Sequence, residues 1–294
     1  VSAALMNIGL GIAESGGHLE NAAGETPIRA WRILFLIGTA PALLAILIRR
    51  SLKEPETWKA QAESGAAKQL GSFSELFGDA RWRKNAIVGL IMASSGIIGL
   101  WGIGFFSFDL LSPVFRKHFT EMGLEPKVVS GKVAMWVGIA SVMQNIGGFL
   151  GIYAYSHMTH IVGRKPAFAF SYVAAMLSTA LVFWNLDQFS EVFWMLPLMG
   201  FCQLALFGGY AIYFPELFPT RLRSTGISFC YNVGRYVAAV GPFALGMLTS
   251  KVFSVANGYN EGMRYAGVTM CSIFLLGLIV LPFAPETKGQ PLPE

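Results

Sequence analysis

Arg235 is the residue of this sequence whose chemistry most needs an explanation. It stands nine residues past Gly226, about 13 Å along an apolar run, 225–248, of a length that crosses a hydrocarbon layer about 30 Å thick. At that depth an arginine costs at least about 2.5 kcal/mol unless something compensates it, and its planar guanidinium is suited to gripping a carboxylate through two parallel hydrogen bonds. Tyr231 and Asn232 precede it by four and three residues and so share its helical face. The competing reading is a structural ion pair. Asp109, near the outer end of the run 86–112, is the one acid inside an apolar run and the one acid in this sequence placed to form it.

Other polar residues are unevenly spread. Gln144 and Asn145 lie midway along the run 133–156 and Gln203 midway along 193–214. The runs 167–184 and 265–284 carry no Asn, Gln or charge in their centres. The first group is expected to face a wet interior and the second to face lipid, against the plainer alternative that each amide bonds a neighbouring helix. Trp101 lies in the run 86–112 among Gly89, Gly96, Gly99, Gly102 and Gly104 and the aromatics Phe105 and Phe106. Close helix packing or a cavity wall would each use that pattern. The expected lining is therefore Arg235, Asn232, Tyr231, Gln144, Asn145, Gln203 and Trp101. His157 and His160 have metal-pair spacing without a third ligand nearby, Cys202, Cys230 and Cys271 all fall in apolar runs, and no cofactor or metal is expected. A membrane-embedded enzyme would need a cluster of His, Asp, Glu or Cys at one depth, and no such cluster occurs. A retinal receptor would need a lysine in 265–284, which has none.

The elements that hold these residues follow from composition. Of 294 residues 54% are hydrophobic and 13% charged, with a mean hydropathy of +0.53, against roughly a quarter charged in soluble domains. A soluble enzyme is excluded, and the fold class is an all-α polytopic membrane bundle with complete spans at about 31–48, 86–112, 133–156, 167–184, 193–214, 225–248 and 265–284. The opening run, Val1 to Ala13, is too short to span and lacks a basic leader, so it reads as the tail of a cut helix. The chain is then expected to be a fragment or a truncated product, without transport activity alone. Placing the loop 49–85 inside gives thirteen inner against eight outer Lys and Arg, which puts the carboxyl terminus in the cytoplasm. The net charge of +5 follows from that topology and implies no nucleic-acid partner. Within the loop, Ser72-Phe73-Ser74-Glu75 reads as a capping box opening a short helix on the inner membrane surface.

Four motifs between the spans resemble the major facilitator superfamily, in its sugar-porter and metabolite:proton symporter-like branch. They are Trp31-Arg32 with Arg49-Arg50 and Glu54-Pro55-Glu56-Thr57-Trp58; Gly163-Arg164-Lys165-Pro166; Pro215-Glu216-Leu217-Phe218-Pro219-Thr220-Arg221-Leu222-Arg223-Ser224-Thr225-Gly226; and Pro285-Glu286-Thr287-Lys288-Gly289. The resemblance covers nearly the whole chain. It implies helices six to twelve, with the end of five, of a twelve-helix transporter whose two halves rock around a midplane site. It also implies a latch in which acids and guanidinium groups at helix ends pair while the inner side is closed; Glu216, Arg164, Lys165 and Arg223 match its positions, with Glu216 expected on Arg223. The chain departs from the pattern in three respects: His160 stands where the family has Asp, Ser156 where it has Gly, and helix seven lacks the paired glutamines of sugar porters. Asn232-Val233-Gly234-Arg235 is similar to the Gly-Arg of aromatic-acid symporters and organic-anion transporters, in which the arginine meets substrate carboxylate.

The domain division expected is 1–48 as the end of an N-terminal half, 49–85 as a cytoplasmic central loop, 86–284 as a six-helix half and 285–294 as a tail. The function expected is secondary active transport of a small organic solute, an organic anion or carboxylate first, in symport with protons. A sugar or other neutral metabolite is the alternative, and a seven-helix receptor or a transport-dead fragment the remaining ones. The partners implied are the solute, a coupling proton and the lipid bilayer. The full-length protein is expected to be a monomer in the bacterial inner membrane.

Overall fold

Apolar runs of this length leave the backbone one economical way to satisfy its polar groups in lipid, which is to coil into helices. The computed structural model describes residues 2–15, 30–51 and 71–293, and every regular element among them is helical. The motif residues Glu54 to Trp58, and the rest of the loop between 52 and 70, lie outside the described residues. The elements are α1 (Ser2–Ser15), α2 (Ala30–Gly38), α3 (Ala40–Ser51), α4 (Phe73–Gly78), α5 (Ala80–Glu121), α6 (Pro126–Val162), α7 (Arg164–Asn185), α8 (Val192–Leu217), α9 (Thr220–Phe253) and α10 (Glu261–Phe283). Seven stretches are long and apolar enough to cross a membrane: α2 with α3, then α5 to α10. The count agrees with the sequence, but the helices run well past the apolar limits. The run 86–112 is part of a helix of 42 residues, and 133–156 of one of 37. Hydropathy marks where a helix meets lipid, whereas its ends are set by caps and prolines.

Those caps are readable. Pro126 opens α6, where its missing N–H costs nothing. Gly163, at φ +99°, ends α6 and turns the chain into α7; a side chain there would be strained and would crowd the Glu286 carboxylate. Pro219 ends α8 by holding Phe218 extended, whereas Pro215 lies inside the helix, which continues to Leu217. Ser72 caps α4 by accepting from Glu75 N–H at 3.2 Å, but the Glu75 carboxylate does not close the expected box. It reaches Arg221 at 2.7 Å and fastens α4 to α9, with Phe77 edge-on to Phe229 at 5.0 Å and Leu76 fully buried.

Small residues set how near the spans lie. Along α6 and α8, Gly147 and Gly151 face the Pro197 and Phe201 backbones, and Gly200 faces the Gln144 backbone. Gly151→Ala drives a methyl group into main chain that cannot swing away. We expect its unfolding temperature in detergent to fall by several degrees, in keeping with overpacking costs of about 1–3 kcal/mol. Gly246→Ala, where an added methyl meets nothing within 4 Å, should leave it unchanged. Gly102 of α5 and Gly241 of α9 likewise put those two helices in backbone contact. Both widen into π turns, Ile98–Ile103 in α5 and Phe229–Val233 in α9, a local geometry that recurs at functional sites. The short helix α1 packs on α6 and α2.

Candidate functional site

The π turns carry three of the residues expected to form the lining. Trp101 lies in the first, and Tyr231 and Asn232 in the second, with Arg235 two residues after it. Asn232 and Arg235 are exposed on the bundle surface, and the Arg235 guanidinium sits 5.4 Å from the centre of the Tyr231 ring, a cation–π contact that satisfies part of its charge. Among the described residues no ion pair includes Arg235, and Asp109 is not its partner.

A separate cavity of about 220 Å³ opens between α5 and α6. Trp101, Phe105 and Phe108 form its aromatic wall, and Ser141, Gln144 and Asn145 its polar one. The sequence-derived lining thus divides in two: Trp101, Gln144 and Asn145 share this cavity, while Arg235, Asn232 and Tyr231 share a helix face outside its lining. Asn145 turns one donor back to Ser141 O of its own helix at 2.7 Å. Gln203 belongs to neither group. It is 1% exposed and donates to the Thr179 hydroxyl at 2.7 Å, held against Gly104 in the packed interior. It is expected to line a cavity; here its amide nitrogen bonds a neighbouring helix, while its Oε1 is buried without a hydrogen-bond partner among the described residues.

At the end of the bundle that holds Gly163 and Pro219 the charged motif residues converge. Glu216, on the last turn of α8, takes both arms of Arg164, Nη2 at 2.7 Å and Nε at 3.0 Å, and also accepts from the Thr287 hydroxyl at 2.5 Å. The side chain of Arg164 is 8% exposed and that of Glu216 18%, and Arg164 donates further to Thr159 O and its hydroxyl. Such a planar bidentate pair is among the stronger charge contacts available. Arg223, expected on Glu216, instead donates from Nε to Pro215 O at 3.0 Å, because α9 turns back at Pro219 and carries it past the acid to the main chain. Lys165 is also not a charge partner of Glu216. Its Nζ donates to Pro282 O at 3.0 Å, while Lys288 Nζ reciprocates by donating to Ile161 O at 2.7 Å, so each lysine satisfies a carbonyl at the end of the other segment's helix.

Residues 285–288 are therefore a clip rather than a free tail. Glu286 accepts from the backbone N–H of Arg164 and Lys165 at 2.9 Å each, at the start of α7, and from those of Thr287 and Lys288 at 3.1 Å. Tyr213 adds a hydrogen bond to Pro285 O at 2.6 Å. Burial alone would raise the Glu286 pKa, but the N–H donors of Lys165, Arg164, Lys288 and Thr287 outweigh it and hold the carboxyl below its ordinary value. A depressed acid contributes stability that is whole above the unfolded pKa, about 4.3, and is lost as pH falls through the lower folded value. We expect Glu286→Gln to melt below the wild type at neutral pH and the gap to narrow in acid, as thermal unfolding scanned against pH would show.

Three polar groupings were not foreseen in the sequence as contacts. Tyr172 and Tyr210, 2.9 Å apart, both donate to Met92 O, fully buried between α5, α7 and α8. Arg264 of α10 pairs with Asp187 at 2.6 Å and donates to Leu186 O, joining α10 to the turn after α7. Glu286 stood in a recognised motif, but nothing in its spacing showed that it folds back onto α7.

No protein-family model matches the chain. It is similar to a cis,cis-muconate transport protein of Acinetobacter baylyi, 28% identical over 90% of this chain and 59% of that one. It is also similar to a putative metabolite transport protein of Haemophilus influenzae, 27% identical over 90% and 61%, and to a probable 4-methylmuconolactone transporter of Cupriavidus pinatubonensis, 26% identical over 88% and 54%. The chain spans about three-fifths of the length of the curated relatives it matches. These relatives agree with the resemblance read from its loops, and the chain is a multi-pass helical membrane protein similar over most of its length to bacterial metabolite transport proteins.

Proposed function

We propose that the protein is part of a secondary active transporter that carries a small carboxylate in symport with protons by alternating access. The observation that carries this reading is Arg235, a guanidinium in a membrane-crossing helix with a tyrosine ring beside it and no acid paired to it among the described residues. A bound anion supplies the missing counter-charge. The name of the Acinetobacter relative, for a carboxylate, supports the same class. Residues 86–284 form the six-helix half of this transporter, with 49–85 as the cytoplasmic loop before it, the carboxyl terminus in the cytoplasm and the whole in the bacterial inner membrane. The Arg164–Glu216 pair is the latch of the inner end.

The cavity of Trp101, Gln144 and Asn145 favours a second reading. Its lining is aromatic and amide without a charged group, which suits a neutral hydroxylated metabolite. Uptake by cells expressing the complete gene, measured for a panel of carboxylates and sugars with and without a protonophore, separates the two. Carboxylate uptake abolished by the protonophore is the expected result; uptake of sugars alone would replace the carboxylate reading with the neutral one.

A further inference from the structure

Below the Arg164–Glu216 pair lies a second cavity, of about 620 Å³, between the start of α5, the end of α8 and the residues after α10. Arg81, Lys84 and Asn85 line one wall, Glu216 and Glu286 another, and Gln290 the side formed by the chain's last residues. Its charges are unequally engaged. Glu216 is taken by Arg164 and Thr287, and Glu286 by four backbone N–H groups. Asn85 commits its amide to Leu217 O at 2.9 Å. By contrast, neither Arg81 nor Lys84 enters an ion pair among the described residues, and the one contact of the Arg81 guanidinium is with the Trp82 ring at 4.7 Å. The first amides of α5 are not free to hold a ligand, since Asp79 accepts from the N–H of Arg81 and Trp82.

Two cations three residues apart on one helix face thus line a cavity whose acids are already engaged, Glu216 by the Arg164 guanidinium and Glu286 by backbone N–H groups. We propose that this cavity binds a phosphate-bearing anion, with Arg81 and Lys84 as its charge partners. A phosphoryl group offers several strong acceptors to a guanidinium and an ammonium together, and the volume falls within the range of sites for small ligands and headgroups. Its lining comes from the first turns of α5, the last turn of α8 and the residues at and after the end of α10, all ends of membrane-crossing helices, where basic pockets meet lipid headgroups. The group comes either from an anionic phospholipid of the adjacent leaflet or from free phosphate.

Thermal unfolding of the protein in nanodiscs tests this. One series adds increasing phosphatidylglycerol to phosphatidylcholine, and a second adds inorganic phosphate to phosphatidylcholine alone. A saturable rise in unfolding temperature is expected in one series, which then identifies the source. Removing a cation should raise the midpoint of that titration about fivefold, so Lys84→Gln shifts it about fivefold and Arg81→Gln with Lys84→Gln about 25-fold. Lys84→Gln leaves Arg81 and its ring contact in place and keeps the test readable should the double variant fold poorly. Arg49→Gln with Arg50→Gln removes two exposed cations outside the cavity and should leave the midpoint within about twofold. No stabilisation in either series, an unchanged midpoint in the cavity variants, or an equal shift in the Arg49 and Arg50 variant overturns the proposal.

Discussion

Arg235→Ala, brought to wild-type abundance in the membrane, is expected to lose carboxylate uptake almost completely. Truncating one member of a desolvated, hydrogen-bonded charge pair costs about 2–5 kcal/mol, a factor of thirty or more. Arg235→Lys keeps the charge but loses the planar fork, and should retain more uptake than Ala while staying well below wild type. Asn232→Ala, on the same helix face, removes a neutral contact and should raise the apparent KM while leaving more of the maximal rate. Radiolabelled uptake corrected for surface abundance distinguishes these outcomes. The opposite pattern is a poorly inserted Arg235→Ala whose surviving molecules transport normally. It would make the arginine a structural residue.

Arg164→Ala is the second change with a large expected effect. It leaves Glu216, 18% exposed, with only the Thr287 hydroxyl, and strips Thr159 of its donor. Removing one partner of a largely buried pair costs about 3–5 kcal/mol, well beyond the contribution of about 1 kcal/mol or less from an exposed pair. We expect a clearly lowered unfolding temperature and greater labelling of a cysteine placed at the inner end, reporting an inner gate that opens more often. Glu216→Gln keeps the shape of the acid and one acceptor, so its accessibility change should run in the same direction and be smaller. Arg223→Ala, which loses one bond to Pro215 O, should change accessibility far less. A larger effect in Arg223→Ala than in Arg164→Ala would restore the pairing that the motif alone suggests.

The difference between those two arginines shows what a sequence conveys about a membrane bundle. The number of spans was legible because twenty apolar residues have few alternatives to a crossing helix. Arg235 was legible because a charge in such a run stands alone. Partner choice was not, since it depends on where each helix stops. Glu216 meets Arg164 rather than Arg223 because α8 continues through Pro215 to Leu217 and the chain turns only at Pro219. Gln203 has the same side chain and depth as Gln144, and only the position of Thr179 on a neighbouring helix makes it a packing residue. The run 167–184 contained no Asn, Gln or charge, yet Tyr172 within it shares the Met92 carbonyl with Tyr210, a polar contact that counting strong polar residues overlooks. The clip at Glu286 was hidden because backbone N–H groups, which hold it, leave no trace in residue types.

Equilibrium binding of a carboxylate to the purified protein in nanodiscs, wild type against Arg235→Ala, tests the counter-charge role of Arg235 most directly. With cis,cis-muconate as probe and calorimetry as readout, saturable binding to the wild type and a loss of at least about tenfold in affinity for Arg235→Ala are predicted. Equal affinity of the two proteins for the carboxylate, with Arg235→Ala fully folded, would contradict an anion as the partner of Arg235.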